Sequence, residues 1–129
     1  MIYFYSSHGA AFNPSKNRMD MSEAIVKDVK EHGYTYSVVG GDFNCVGEGD
    51  KSAISEIFPL DGFKWPSKNI GRTINEIRWF ISFFPKNAFA TDHIFSKGFG
   101  NFTSGKIDKH IVSDHMVIWT KLSDMNENN

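Results

Sequence analysis

The chain has 129 residues, of which 40% are hydrophobic and 22% charged, with a formal net charge of −1. That length suits one domain and that balance excludes a disordered chain, while the near-neutral charge excludes a broadly basic nucleic-acid-binding surface. Any phosphate-binding site must therefore be local.

A single cysteine, Cys45, excludes an internal disulfide framework, and no apolar run is long enough to span a membrane as a helix. Met1 to Ser7 lacks the basic n-region, length and small-residue cleavage site of a signal peptide, so the chain as written reads as cytoplasmic. Twelve phenylalanines are a high count. In a whole fold they belong to the core; in a partial one some of them mark a surface that something else covers.

In chain order, Ile2 to Ser6 reads as a short aromatic strand and Gly9 to Asn17 as a loop. Met21, Ala24, Ile25 and Val29 recur at helical spacing, predicting a helix from about Met19 to Glu31 with Gly33 at its C-cap. Tyr34 to Gly40 reads as a buried strand broken by Gly40-Gly41, which places Asp42 and Asn44 at a strand end, two residues apart and facing the same way. Ser52 to Phe58 predicts one or two helical turns, and Pro59 to Gly71 an irregular surface loop.

Arg72 to Phe84, with Trp79, Phe80, Ile81, Phe83 and Phe84, predicts a strand. Ala90 to Ser96 predicts another, Gly98 to Asp108 a hairpin or loop, and Met116 to Leu122 a last strand. Residues 1–122 read as one domain and 123–129 as a polar tail. One strand, a helix, then mostly strands argues for a mixed α/β layer arrangement.

Four clusters carry candidate chemistry: His8, Gly41-Asp42-Phe43-Asn44, Thr91-Asp92-His93-Ile94-Phe95 and Ser113-Asp114-His115. Oxygen ligands hold a hard cation such as Mg²⁺, and an imidazole titrating near neutrality exchanges protons with water, which together suit phosphoester hydrolysis. Read singly, each cluster has a plain alternative: a surface histidine, an Asx turn, a capped strand entry, a polar turn. His93 alternates away from Asp92 and reads as structural. Asp114 and His115 would point apart in a regular strand, so a bend at Ser113 to His115 is expected.

In their order and context these clusters resemble the C-terminal motif series of the DNase I-like endonuclease/exonuclease/phosphatase superfamily. The stretch Phe4-Tyr5-Ser6-Ser7-His8-Gly9-Ala10, followed by an Asn-containing loop and a helix, is most similar within it to the B component of cytolethal distending toxin. The resemblance runs from His8 to Trp119 and implies the C-terminal half of a four-layer α/β sandwich, one mixed sheet with flanking helices.

It also implies roles. Asp42 would orient the nucleophile, and Asn44 would bind phosphate or metal. Asp114 would hold a metal, Mg²⁺ or Mn²⁺, or support a residue that does, and His115, paired with Asp92, would act as general base toward water or steady the phosphate. His8 would face the leaving group, and Arg18 and Arg72 are candidate substrate contacts alongside Lys97, Lys106 and Lys109.

The proteins resembled begin with a strand bearing an Asn, then a metal-binding Glu, then an acidic partner for the first His. None of these stands before His8. The expectation is a truncated or split product whose partners are DNA or another phosphate ester, a separate N-terminal half, or toxin companion subunits. Three functions stay open: a metal-dependent DNA endonuclease, a phosphomonoester or phosphoinositide phosphatase, and a silent remnant that binds without turnover.

Overall fold

The structure is a computed structural model that describes residues 1–10, 15–45, 48–74, 89–107 and 113–124. The strand expected over Arg72 to Phe84 lies outside the described residues from position 75 on, as do Lys109 and most of the polar tail.

β1 (Tyr3–His8) leads into α1 (Ser15–Glu31), which returns the chain to β2 (Ser37–Asp42). β1 and β2 are parallel, a pairing that needs a crossover segment of this kind. The helix begins four residues before the expected Met19, and Lys16 bonds Asp20 one turn on at 2.9 Å. Arg18, Ser22, Val26 and Val29 form its buried stripe. Gly33, at φ +64°, ends the helix as expected of a C-cap.

α2 (Glu48–Leu60) is a full helix rather than one or two turns, and β3 (Asp92–Lys97) pairs antiparallel with β2. The result is a three-stranded mixed sheet in the order β1-β2-β3. β4 (Asn101–Ile107) and β5 (Val117–Ser123) form a second, antiparallel ladder. The segment expected as a hairpin or loop is thus largely strand: Asn101 to Ile107 pair residue by residue with Ser123 to Val117. β5 continues one residue past the expected domain end at Leu122.

One face of the three-stranded sheet is packed by the helices. Phe58 stacks on Phe95 at 4.2 Å, and Phe43 meets both edge-on at 6.0 and 5.6 Å. Val26, Val29, Val39, Ile54 and Phe63 complete this core. His93 points into it, buried with its ring 5.1 Å from Trp65 and 5.9 Å from Phe43. The 61–71 segment is less superficial than its composition predicts. Phe63 and Ser67 are buried, and Lys64 exchanges backbone hydrogen bonds with Ser96 on the free side of β3.

Candidate active site

The register of the sheet assembles the site. His8 is aligned with Asp42 across the parallel pair, and Asp42 with Asp92 across the antiparallel pair. Three residues far apart in sequence therefore share one row at the same rim. Gly41 makes that row possible: it sits at φ +153°, and a Cβ there would fall on the Ser7 carbonyl.

Local hydrogen bonds then set each side chain. Asp42 Oδ1 accepts the Asn44 backbone N–H at 2.7 Å, and its carbonyl accepts the Gly9 N–H at 2.7 Å. Asn44, itself at φ +51°, donates its side-chain amide to the Gly9 carbonyl at 2.6 Å, which turns its amide oxygen the other way. The loop after His8 and the turn after Asp42 are thereby tied together. Arg18 reaches the same loop, donating to the Ala10 carbonyl at 3.3 Å.

His115 enters from the segment before β5. Its backbone N–H donates to Ser113 Oγ at 3.1 Å, in the bend expected there, and Met116 N–H donates to the Thr73 carbonyl at 2.6 Å. The His115 Nδ1 lies 2.9 Å from Asp92 Oδ2, and Nε2 lies 3.8 Å from Asp42 Oδ2. The first is a hydrogen bond; the second is too long for one, and an atom set to one side of the pair could reach both. Asp92 Oδ2 also accepts from Thr73 Oγ1 at 2.6 Å and from Thr91 Oγ1 at 3.1 Å.

Electrostatics follow the geometry. Burial raises the Asp42 carboxyl above its ordinary range and the negative charge of Asp92 adds to this, against the opposing Asn44 N–H, His115 and His8. For His115, burial pulls downward, but the hydrogen bond to Asp92 and the charges of Asp92, Asp42 and Asp114 outweigh it and raise the imidazole.

Asp42, Asp92 and His115 each offer a ligand atom, and these lie within 4.8 Å of one another. Two carboxylates and an imidazole suit a divalent cation in charge and spacing. Asp92 Oδ2 already accepts from three donors, so a cation in that set would turn to Asp42 Oδ2 or to the other oxygen of Asp92.

The remaining candidates fall around this group. His8 ends β1 exposed, in register with Asp42, and Asp114 is exposed beside His115. Arg18 and Arg72 are each only 6% exposed. Lys106 reaches the Arg72 carbonyl at 2.7 Å, whereas Lys97 lies over Phe63 at the far end of β3. Thr91 heads one of the candidate clusters but has no role of its own there, and nothing in the sequence singles out Thr73. Threonine in a strand-rich segment carries no local signal, and the separation of 18 residues has no period to detect.

No family model matches this sequence, and no curated relative does either. The fold, in contrast, is that of the endonuclease/exonuclease/phosphatase proteins. A family member of that description from Bacteroides thetaiotaomicron superposes with a TM-score of 0.63 at 19% identity, over 94% of this chain and 49% of its own. A truncated TDP2 from Caenorhabditis elegans gives 0.68 at 16% identity, over 93% and 54%. A mannosyl-6-phosphatase from Bacteroides thetaiotaomicron gives 0.60 at 18%, over 92% and 50%. The chain thus has half of a DNase I-like fold, spanning about half the length of each of these structures.

Proposed function

We propose that this chain carries the acid–base half of a metal-dependent phosphoesterase site, with DNA phosphodiesters as its substrate. The observation behind this reading is the 3.8 Å gap between His115 Nε2 and Asp42 Oδ2, backed on the imidazole side by Asp92. A water or a phosphate oxygen set to one side of this pair, within hydrogen-bond distance of each, would reach both groups.

Asp42, its affinity for a proton raised by burial, would take a proton from attacking water. His115, raised toward its charged form, would donate Nε2–H to a phosphate oxygen, while Asp92 holds the ring in place. His8 stands in the same row, where it would meet the leaving-group oxygen. A bound Mg²⁺ or Mn²⁺ would neutralise charge building on the phosphate. Asn44 and Asp114 would offer it oxygen donors, leaving Asp42 for the water.

A zebrafish TDP2 of this fold, at 16% identity, was crystallised with a single-strand DNA product, and the similar mannosyl-6-phosphatase is named for a phosphomonoester. Phosphomonoester hydrolysis is accordingly the second reading. The test is nicking of supercoiled plasmid in Mg²⁺ or Mn²⁺ by the parent chain and by Asp42→Ala and His115→Ala, run beside release of phosphate from a sugar phosphate. Nicking lost in both variants supports the diesterase, and phosphate release alone supports the second reading. A folded chain that does neither refutes both.

A further inference from the structure

Thr73 is 1% exposed, and its hydroxyl oxygen sits among four polar neighbours. The backbone N–H groups of Thr91 and Asp92 point at it, at 3.0 and 3.1 Å. A hydroxyl has one hydrogen and two lone pairs, and a backbone N–H can only donate. Both lone pairs are therefore taken, and the hydrogen must leave in another direction. Asp92 Oδ2 lies there at 2.6 Å, with Thr91 Oγ1 further off at 3.4 Å.

The polarity then propagates. Asp92 Oδ2 receives the Thr73 hydrogen and a second from Thr91 Oγ1 at 3.1 Å, and these two hydroxyls fix where it stands. As a carboxylate facing His115 Nδ1 at 2.9 Å, it accepts. Nδ1 must then carry hydrogen, and in the neutral ring the lone pair is on Nε2, toward Asp42.

We infer that Thr73, seconded by Thr91, is a positioning residue whose hydroxyl holds the Asp92 carboxylate against His115 Nδ1, so that Nε2 is the ring nitrogen turned toward Asp42. This rests on the reading of His115 as an acid–base group. The backbone of Thr73 reinforces the lock, because its carbonyl accepts the Met116 N–H next to His115, while the Thr91 carbonyl accepts the Phe43 N–H next to Asp42 at 2.8 Å. One buried threonine pair thus indexes all three site residues to each other.

The test is a long-range ¹H–¹⁵N spectrum of the full chain labelled at histidine, at alkaline pH, with the His115 signal assigned by its loss in His115→Gln. The parent and Thr73→Ser should show a single neutral tautomer with hydrogen on Nδ1. Thr73→Val should show averaging between tautomers and at least a tenfold slower phosphoester cleavage, both recovered by Thr73→Ser.

A parent chain protonated on Nε2, or a folded Thr73→Val with an unchanged Nδ1–H signal, overturns the assignment. Should Thr73→Val not fold, the parent decides. An Nδ1–H tautomer together with a Thr73 hydroxyl proton protected from exchange supports the lock, and a rapidly exchanging one rejects it. An Nδ1–H tautomer that Thr73→Val releases, in a chain that cleaves no phosphate ester, leaves the lock standing and refutes the proposed function alone.

Discussion

Replacing Gly41 with alanine tests how the sheet places Asp42. The added methyl would fall on the Ser7 carbonyl oxygen and within 2.8 and 2.9 Å of the Ser7 carbonyl carbon and nitrogen. These are backbone atoms of a paired strand, so no side-chain rotation relieves the clash. Overpacking of this kind costs about 1–3 kcal/mol, and the φ of +153° adds strain for an L residue of roughly 1–3 kcal/mol. Against a whole-domain stability of about 5–15 kcal/mol that is a large fraction. At about 4 °C per kcal/mol the melting temperature should fall by roughly 10–20 °C, read by far-UV circular dichroism. A variant that melts within about 2 °C of the parent would show slack between β1 and β2 and undo the argument that Gly41 sets the His8–Asp42 row.

Three further outcomes are expected. Asp42→Asn should lose phosphoester cleavage yet melt higher than the parent at pH 7. Because burial raises the folded-state pKa of Asp42, its stabilising contribution is present below the unfolded value and lost as pH rises through the folded one, so the advantage of Asn should vanish in acid. His115→Ala should have the same sign of pH dependence. Against the downward pull of burial, the hydrogen bond to Asp92 and the surrounding carboxylates raise the folded imidazole, so its contribution is present below pH 6.5 and fades as pH rises through the folded value, as paired urea titrations will reveal. Phe95→Ala removes the ring stacked on Phe58 and should cost about 3–5 kcal/mol in the same assay, with no pH dependence.

The parts of the fold legible in the sequence were those with a short-range signature. The spacing of Met21, Ile25 and Val29 marked α1, and the Gly40-Gly41 break before Asp42 marked the end of β2. Alternation set His93 against Asp92, and the structure buries one and leaves the other at the rim. The start of α2 escaped because Glu48 to Lys51 is polar and carries Gly49, so no apolar stripe announces the first turn. β4 escaped because Gly105 and its hydroxyl neighbours outweigh Phe102 and Ile107 in any local reading; its pairing with β5 is what makes it a strand. The burial of Arg18 and Arg72, read in the sequence as candidate substrate contacts, likewise depends on neighbours distant in the chain.

The site row also carries a consequence for how the molecule acquires its structure. Asn44 bonds Gly9 across 35 residues, Thr73 bonds Asp92 across 19, and His115 bonds Asp92 across 23. Contacts of such long separation are the slow ones to form, because loop closure must precede the reward for making them. The rim is therefore expected to be among the last regions to order, after α1 and its local ladder. A ligand that engages Asp42 and His115 together would act on the final stage of this process, slowing unfolding far more than it speeds folding.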